Sequence, residues 1–189
     1  MRAGAIRSAS LTLALVLATV APAAAELRVS NLWVYLNDFD VTVQAVLLGA
    51  IPASFHEGLQ SGIPSHVRFT VELWQYRRLW LDRRLQTRTI ERQIAYNVLT
   101  KEFKVAALTG EVLEPYVSRD LRDAQRVLSE LRGLKLMPAS QVGSNDLFYV
   151  RVRAEAALRG TNTFLTRLAG EAEETDWVLS SLLTVSRTQ

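Results

Sequence analysis

The sequence predicts an α+β fold, mostly antiparallel β-sheet of about 7–8 strands, with one amphipathic helix over about 119–132 and one short capped helix over about 55–61. Three observations predict it. Apolar and polar residues alternate along Val67–Leu73 and Phe148–Leu158, the period of a strand with one face buried. Apolar residues recur at three- and four-residue steps from Leu121 to Leu131, the period of a helix packed on one side. Turn chemistry separates the short apolar runs, and neither an internal repeat nor a low-complexity linker interrupts them.

Taken in order, Glu26–Leu36 and Val41–Leu48 are rich in β-branched and aromatic residues and flank Asn37-Asp38-Phe39-Asp40, so they read as a hairpin. Leu27, Val29, Trp33 and Tyr35 share one face by strict alternation, and Leu32, Val34 and Leu36 share the other. Apolar residues on both faces predict a strand covered on both sides. Ser54-Phe55-His56-Glu57 fits a capping box that opens the short helix, while Gly62 and Pro64 close it.

Val67–Leu73 and about Arg83–Tyr96 form two long strands, with Ile90, Ile94 and Tyr96 in phase and a connection near Leu79–Asp82. Phe103–Leu108 and Val112–Val117 are shorter strands around Thr109-Gly110-Glu111. Ser118 opens the amphipathic helix and Gly133 ends it, and a loop follows through Met137-Pro138 and Gly143-Ser144-Asn145-Asp146. In the last long strand Phe148, Val150, Val152, Ala154, Ala156 and Leu158 face inward, with Tyr149, Arg151, Arg153 and Glu155 outward. The tail carries a short helix near Thr163–Ala169 and an apolar run from Trp177 to Val185.

Composition bounds the classes. With 189 residues, 49% hydrophobic and 22% charged, the chain is neither disordered nor a multi-span membrane protein. The absence of cysteine removes disulfide scaffolds, thiolate metal sites and thiol catalysis. Residues 1–25 read as a cleaved signal peptide: Arg2 and Arg7, an apolar run from Leu11 to Val20, Pro22, then Ala23-Ala24-Ala25 before Glu26. That apolar run is half the length of a membrane-spanning helix, which needs about 20 residues. Cleavage between Ala25 and Glu26 leaves a single α+β domain over 26–189 with a C-terminal tail from about 160, and no stable transmembrane span. The route expected is Sec-type export to the periplasm of a bacterium, since the two arginines are not adjacent. Losing Arg2 and Arg7 leaves 20 basic against 19 acidic side chains, a balance that gives no field for nucleic acid.

Reactive constellations are scarce. His56-Glu57-Gly58-Leu59-Gln60 has glutamine where a zinc-protease helix carries its second histidine, so no metal is expected. His56 and His66 could approach across a helix-to-strand turn, and Asp38 and Asp40 sit in a turn where alternate residues point apart. The chain holds no nucleophile elbow and no glycine-rich phosphate loop, and neither catalytic residues nor a cofactor are assigned. The one constellation above background is the run Tyr76 to Arg84 with Arg88 and Arg92 beyond. Arg77, Arg78, Trp80, Arg83, Arg84 and Arg88 would crowd guanidinium groups around an indole at one hairpin end. Facing like charges need an acid, an aromatic face or an anion to compensate, so this end is the candidate site for an anion or a partner.

Several segments together resemble an exported bacterial family known as domain of unknown function 4390, some members of which are labelled proline-rich signal peptide proteins. The likeness runs through Glu57–Pro64, Trp80-Leu81-Asp82, Tyr96–Phe103, the helix Ser118–Leu131, Phe148–Arg153 and Trp177–Ser181. It departs after Leu158, where Gly160-Thr161-Asn162-Thr163-Phe164 replaces a Leu-Pro-x-Pro-like segment. The resemblance implies no activity, cofactor or catalytic residue. It does imply an envelope protein partner, the periplasmic region of a membrane sensor kinase of a nitrogen-type two-component system. The expectation is a non-enzymatic recognition or accessory module. Its rivals are a periplasmic hydrolase with a dispersed active site, using His56, His66 or Asp38 as bases, and a carrier of a hydrophobic ligand.

Overall fold

The computed structural model describes residues 26–143, 146–158 and 172–185. The elements run β1 (Arg28–Asn37), β2 (Asp40–Leu48), α1 (His56–Gln60), β3 (Ser65–Gln75), β4 (Arg83–Asn97), β5 (Glu102–Thr109), β6 (Tyr116–Ser118), α2 (Leu121–Ser129), β7 (Glu130–Pro138), β8 (Phe148–Leu158), β9 (Ala172–Glu174) and β10 (Val178–Leu179). Among the described residues these make the expected α+β fold in two antiparallel sheets. The smaller sheet has the order β1-β2-β7, and the larger has β10-β8-β3-β4-β5-β6 with β9 also on β8.

The apolar faces of both sheets and the buried sides of the helices meet in one core. Val41, Val43, Ala45 and Leu47 of β2 enter it from the smaller sheet. Val67, Phe69, Val71 and Leu73 of β3, with Val150, Val152, Ala154 and Ala156 of β8, enter it from the larger. Leu59 of α1 and Ala124 and Leu128 of α2 complete the cluster. The β1–β2 hairpin turns on Asp38 and Phe39, both left-handed at φ 49° and 63°, which is the two-residue turn that matches strand twist.

Four expectations are corrected. First, β1 is not covered on both sides. A bulge between Ser30 and Trp33 places Asn31 at φ 49° and inserts one extra residue, so the pairing passes from Ser30↔Val46 to Trp33↔Gln44. One extra residue exchanges the faces. Leu27 and Val29 point inward before the bulge and Leu32 and Val34 after it, while Trp33 and Tyr35 face out.

Second, the amphipathic helix is shorter than about 119–132. Asp120, not Ser118, caps it, accepting the Arg122 N–H at 2.8 Å. The chain leaves the helix at Glu130 and continues directly as β7 against β2. Leu128 in the helix and Leu131 in β7 are both buried, so apolar spacing alone does not mark the break. Gly133, at φ 62°, sits in the β7 bulge between Leu131↔Ala45 and Leu134↔Val43 and does not end a helix.

Third, Met137-Pro138 belongs to β7 instead of a loop. Fourth, the capping box at Ser54 does not form. Ala53–Phe55 is a 3-10 turn, and neither it nor α1 has a side-chain cap. The closing signal does hold: Gly62 is left-handed at φ 87°, with Ile63 N–H donating to Gly58 O at 2.9 Å.

The strand expected over Val112–Val117 is the shorter β6. The helix expected near Thr163–Ala169, the departing segment 160–164 and the expected signal peptide with Ala25 lie outside the described residues.

Candidate functional site

The connection between β3 and β4, residues 76–82, gathers most of the candidate residues. Its shape is set by Asp82, whose Oδ1 accepts the Arg77 backbone N–H at 3.0 Å and whose Oδ2 accepts the Tyr149 hydroxyl at 2.9 Å. The hydroxyl is held protonated above its ordinary range by burial and by the Asp82 carboxylate. A turn closes over the next residues, with Trp80 N–H donating to Arg77 O at 3.3 Å. The consequence is a tied loop that pushes Leu79, Trp80 and Leu81 outward, 91%, 76% and 83% exposed. Tyr76 is also exposed at its base.

The structure brings Arg77, Arg78, Trp80, Arg83 and Arg84 to this end. Arg88 does not join them. It pairs with Val71 on the opposite face of β4 from Arg84, which pairs with Trp74, and lies about 13 Å along the strand. The expected like-charge crowding across the hairpin is also avoided, because Arg83 faces Gln75 and Arg84 faces Trp74. Arg92 leaves the group altogether: it is 4% exposed, in phase with Ile90 and Ile94, and belongs to the core.

Beside the loop, the outer face of the larger sheet carries a polar network that spacing along the chain does not reveal. Glu72 Oε2 accepts Arg151 Nε at 2.6 Å and Trp74 Nε1 at 2.7 Å, and Oε1 accepts Arg84 Nη1 at 3.3 Å. Burial pushes the Glu72 carboxyl up, but the hydrogen bonds from Arg151, Trp74 and Arg84 outweigh it and hold the group below its ordinary value. The Arg151 guanidinium lies between Trp74 and Trp177, 4.4 and 4.2 Å from the ring centroids. Arg153 stacks on Trp177 at 4.8 Å and bonds Glu174 at 2.6 Å. The available signal was the pairing of Glu72 with Arg151 on adjacent strands, invisible until strand order is known.

The acid–base candidates stay dispersed. His56 is exposed on α1, whereas His66 is buried on the outer side of β3, with Nδ1 unbonded and 3.9 Å from Glu91 Oε1. Burial lowers the His66 pKa, Glu91 raises it and Arg68 lowers it, with a net fall. Asp38 and Asp40 do not point apart: both reach Lys135 Nζ, at 3.3 and 3.2 Å. A cavity of about 610 Å³ is lined by Gln60, Tyr96, Val98, Lys101, Phe103 and Arg119, with none of these acid–base groups in its lining. Among the described residues no group of three or more potential ligands is arranged for a metal. No helix among them is long and apolar enough to cross a membrane.

A family model described as Domain of unknown function (DUF4390) matches residues 24–181. Neither a curated protein nor a solved structure matches the chain.

Proposed function

Because this chain belongs to the domain-of-unknown-function family DUF4390, we propose that it is an exported, non-enzymatic recognition or accessory module of the cell envelope. It works beside an envelope protein, for which the periplasmic region of a membrane sensor kinase is the candidate. The observation that carries this reading is the tied loop 76–82. Three consecutive large apolar residues stand in solvent between Arg77–Arg78 and Arg83–Arg84. A contiguous exposed apolar group rimmed by charge marks an interaction surface, and the hydrogen bonds of Asp82 already tie the loop's backbone before it binds.

The order of residues 1–25, two arginines, a short apolar run and Ala23-Ala24-Ala25, supports the same reading, as does the placement of His56 and His66 on separate elements. A hydrolase would need a base facing a cavity, and the cavity against Gln60, Tyr96, Val98, Lys101, Phe103 and Arg119 has neither a histidine nor a carboxylate in its lining. A hydrophobic carrier has less support, since Phe69, Leu73, Ile90 and Leu128 are completely buried in one shared core.

The test is crosslinking in intact cells followed by partner identification, comparing the native chain with Arg77→Gln, Arg78→Gln and Arg83→Gln combined. Arg84 is left in place because it pairs with Glu72. The variant should fold with unchanged circular dichroism and lose the crosslinked envelope protein. Undiminished capture would refute the assignment of this end as the contact surface.

A further inference from the structure

We propose that the loop 76–82 is a membrane-surface anchor: Leu79, Trp80 and Leu81 enter the interfacial layer of an anionic bilayer while Arg77, Arg78 and Arg83 engage lipid phosphates. The proposal rests on the reading of this end as the contact surface and names what it touches first. A bilayer surface then holds the module where the exposed region of a membrane protein stands.

The shape argues for a bilayer ahead of a protein groove. The apolar group is a convex tip, with each of its three residues at least three-quarters exposed. Leucine and tryptophan have different places in such a tip. Leucine gains by leaving water for acyl chain, and tryptophan, with Tyr76 at the base, suits the boundary between chain and headgroup. Arginine at the flanks can keep its guanidinium at phosphate level while its stem lies along apolar surface. Its planar fork matches the oxygens of a phosphodiester.

Charge argues the same way. Four arginines flank the tip within the sequence Arg77–Arg84, and the single acid among them, Asp82, is already occupied by the Arg77 N–H and the Tyr149 hydroxyl. Glu72, the nearest carboxylate on β3, is held by Arg84, Arg151 and Trp74. Two other exposed apolar tips lack this setting. Phe39 has Asp38 and Asp40 as neighbours, and Leu99, in the β4–β5 turn at the far end of β4, has one lysine and one acid but no arginine in its flanking sequence Asn97–Glu102.

The test uses protein expressed from the full-length gene and purified as processed, so every variant shares one N-terminus. Native protein should sediment with vesicles of phosphatidylcholine containing phosphatidylglycerol, and far less with phosphatidylcholine alone. Binding should weaken as salt is raised. Replacing Leu79, Trp80 and Leu81 together with serine should cut binding by at least about tenfold, on the area of apolar surface removed. Arg77→Gln, Arg78→Gln and Arg83→Gln together should abolish the preference for anionic vesicles, since each cation near such a surface contributes roughly a fivefold gain. Leu99→Ser should bind as the native chain does. Tryptophan emission should shift to shorter wavelength with vesicles, and Trp80→Phe should bind but lose that shift.

Failure of the native protein to bind anionic vesicles, or equal loss in Leu99→Ser, would overturn the anchor. Capture of a protein in intact cells by a chain that never binds vesicles leaves the recognition module standing and rejects this inference. Vesicle binding that survives the loss of every protein crosslink rejects the partner reading instead.

Discussion

Arg92 reaches from β4 into the core and grips Glu111 with two parallel contacts, Nε to Oε1 and Nη2 to Oε2, the latter at 2.8 Å. The same guanidinium donates from Nη1 to the carbonyls of Val127 and Glu130, both at 2.7 Å. The Val127 carbonyl is one that a helix leaves without a partner at its C-terminal end, and Glu130 is the residue at which α2 passes into β7. One buried side chain therefore joins the larger sheet, the β5–β6 connection and the end of α2, and it carries positive charge where the helix dipole is negative. Gly110 keeps Glu111 within reach. It is left-handed at φ 86°, and a Cβ there would stand 1.9 Å from the Thr89 carbonyl oxygen.

Removing Arg92 should be costly. Arg92→Met preserves much of the volume but leaves Glu111 and the Val127 and Glu130 carbonyls without the guanidinium, a loss of about 3–5 kcal/mol. The measurement is urea unfolding followed by far-ultraviolet circular dichroism. Glu111→Gln should cost less, because an amide still accepts. An unmoved midpoint in Arg92→Met would show that water replaces the guanidinium without penalty.

Glu72 should make the protein sensitive to acid. Its folded pKa lies below the ordinary 4.5, so its contribution is fully present above pH 4.5 and is lost as pH falls through the depressed folded value. Glu72→Gln should be less stable at neutral pH by about 1–3 kcal/mol, because three donors lose a charged acceptor. The gap between native chain and variant should narrow steadily below pH 4.5. Chemical unfolding at a series of pH values reads it, and a constant gap would contradict the assignment.

His66 should give a second pH dependence in a separate window. Its folded pKa lies below 6.5, so on acidification the unfolded imidazole takes a proton before the folded one does. Stability therefore falls as pH drops from above 6.5 toward the folded value and levels off beneath it. The charged neighbours Glu91 and Arg68 act in opposite directions, and burial decides the sign. His66→Gln should remove that slope between neutral and mildly acidic pH. An imidazole titration by NMR that gives a folded value above 6.5 would reverse the argument.

The strand alternation of Val67–Leu73 and Phe148–Leu158 was legible because each signal is local: every second residue meets either core or water. The same is true of the turn at Asp38-Phe39 and the closure at Gly62. The candidate site was legible in part. The run Tyr76–Arg84 announced an arginine-rich loop with an indole, but not that Asp82 ties it or that Arg84 is drawn to Glu72.

Arg88 and Arg92 show why the rest was hidden. Both share the phase of Ile90 and Ile94, yet one is exposed and the other is a core residue. The difference lies in what packs above each position, α2 and Glu111 over Arg92, and no spacing along β4 encodes it. Likewise the passage of α2 into β7 at Glu130 depends on β2 offering hydrogen bonds to a segment whose apolar spacing serves helix and strand alike. The sequence by itself determined the class of fold, the main strand periods and the charged loop. Only the tertiary structure decided where the helix ends, which arginines are buried and which apolar residues stay in water. Those outcomes turn on partners brought from distant parts of the chain, and a backbone or guanidinium group takes whichever partner spares it an unpaired burial.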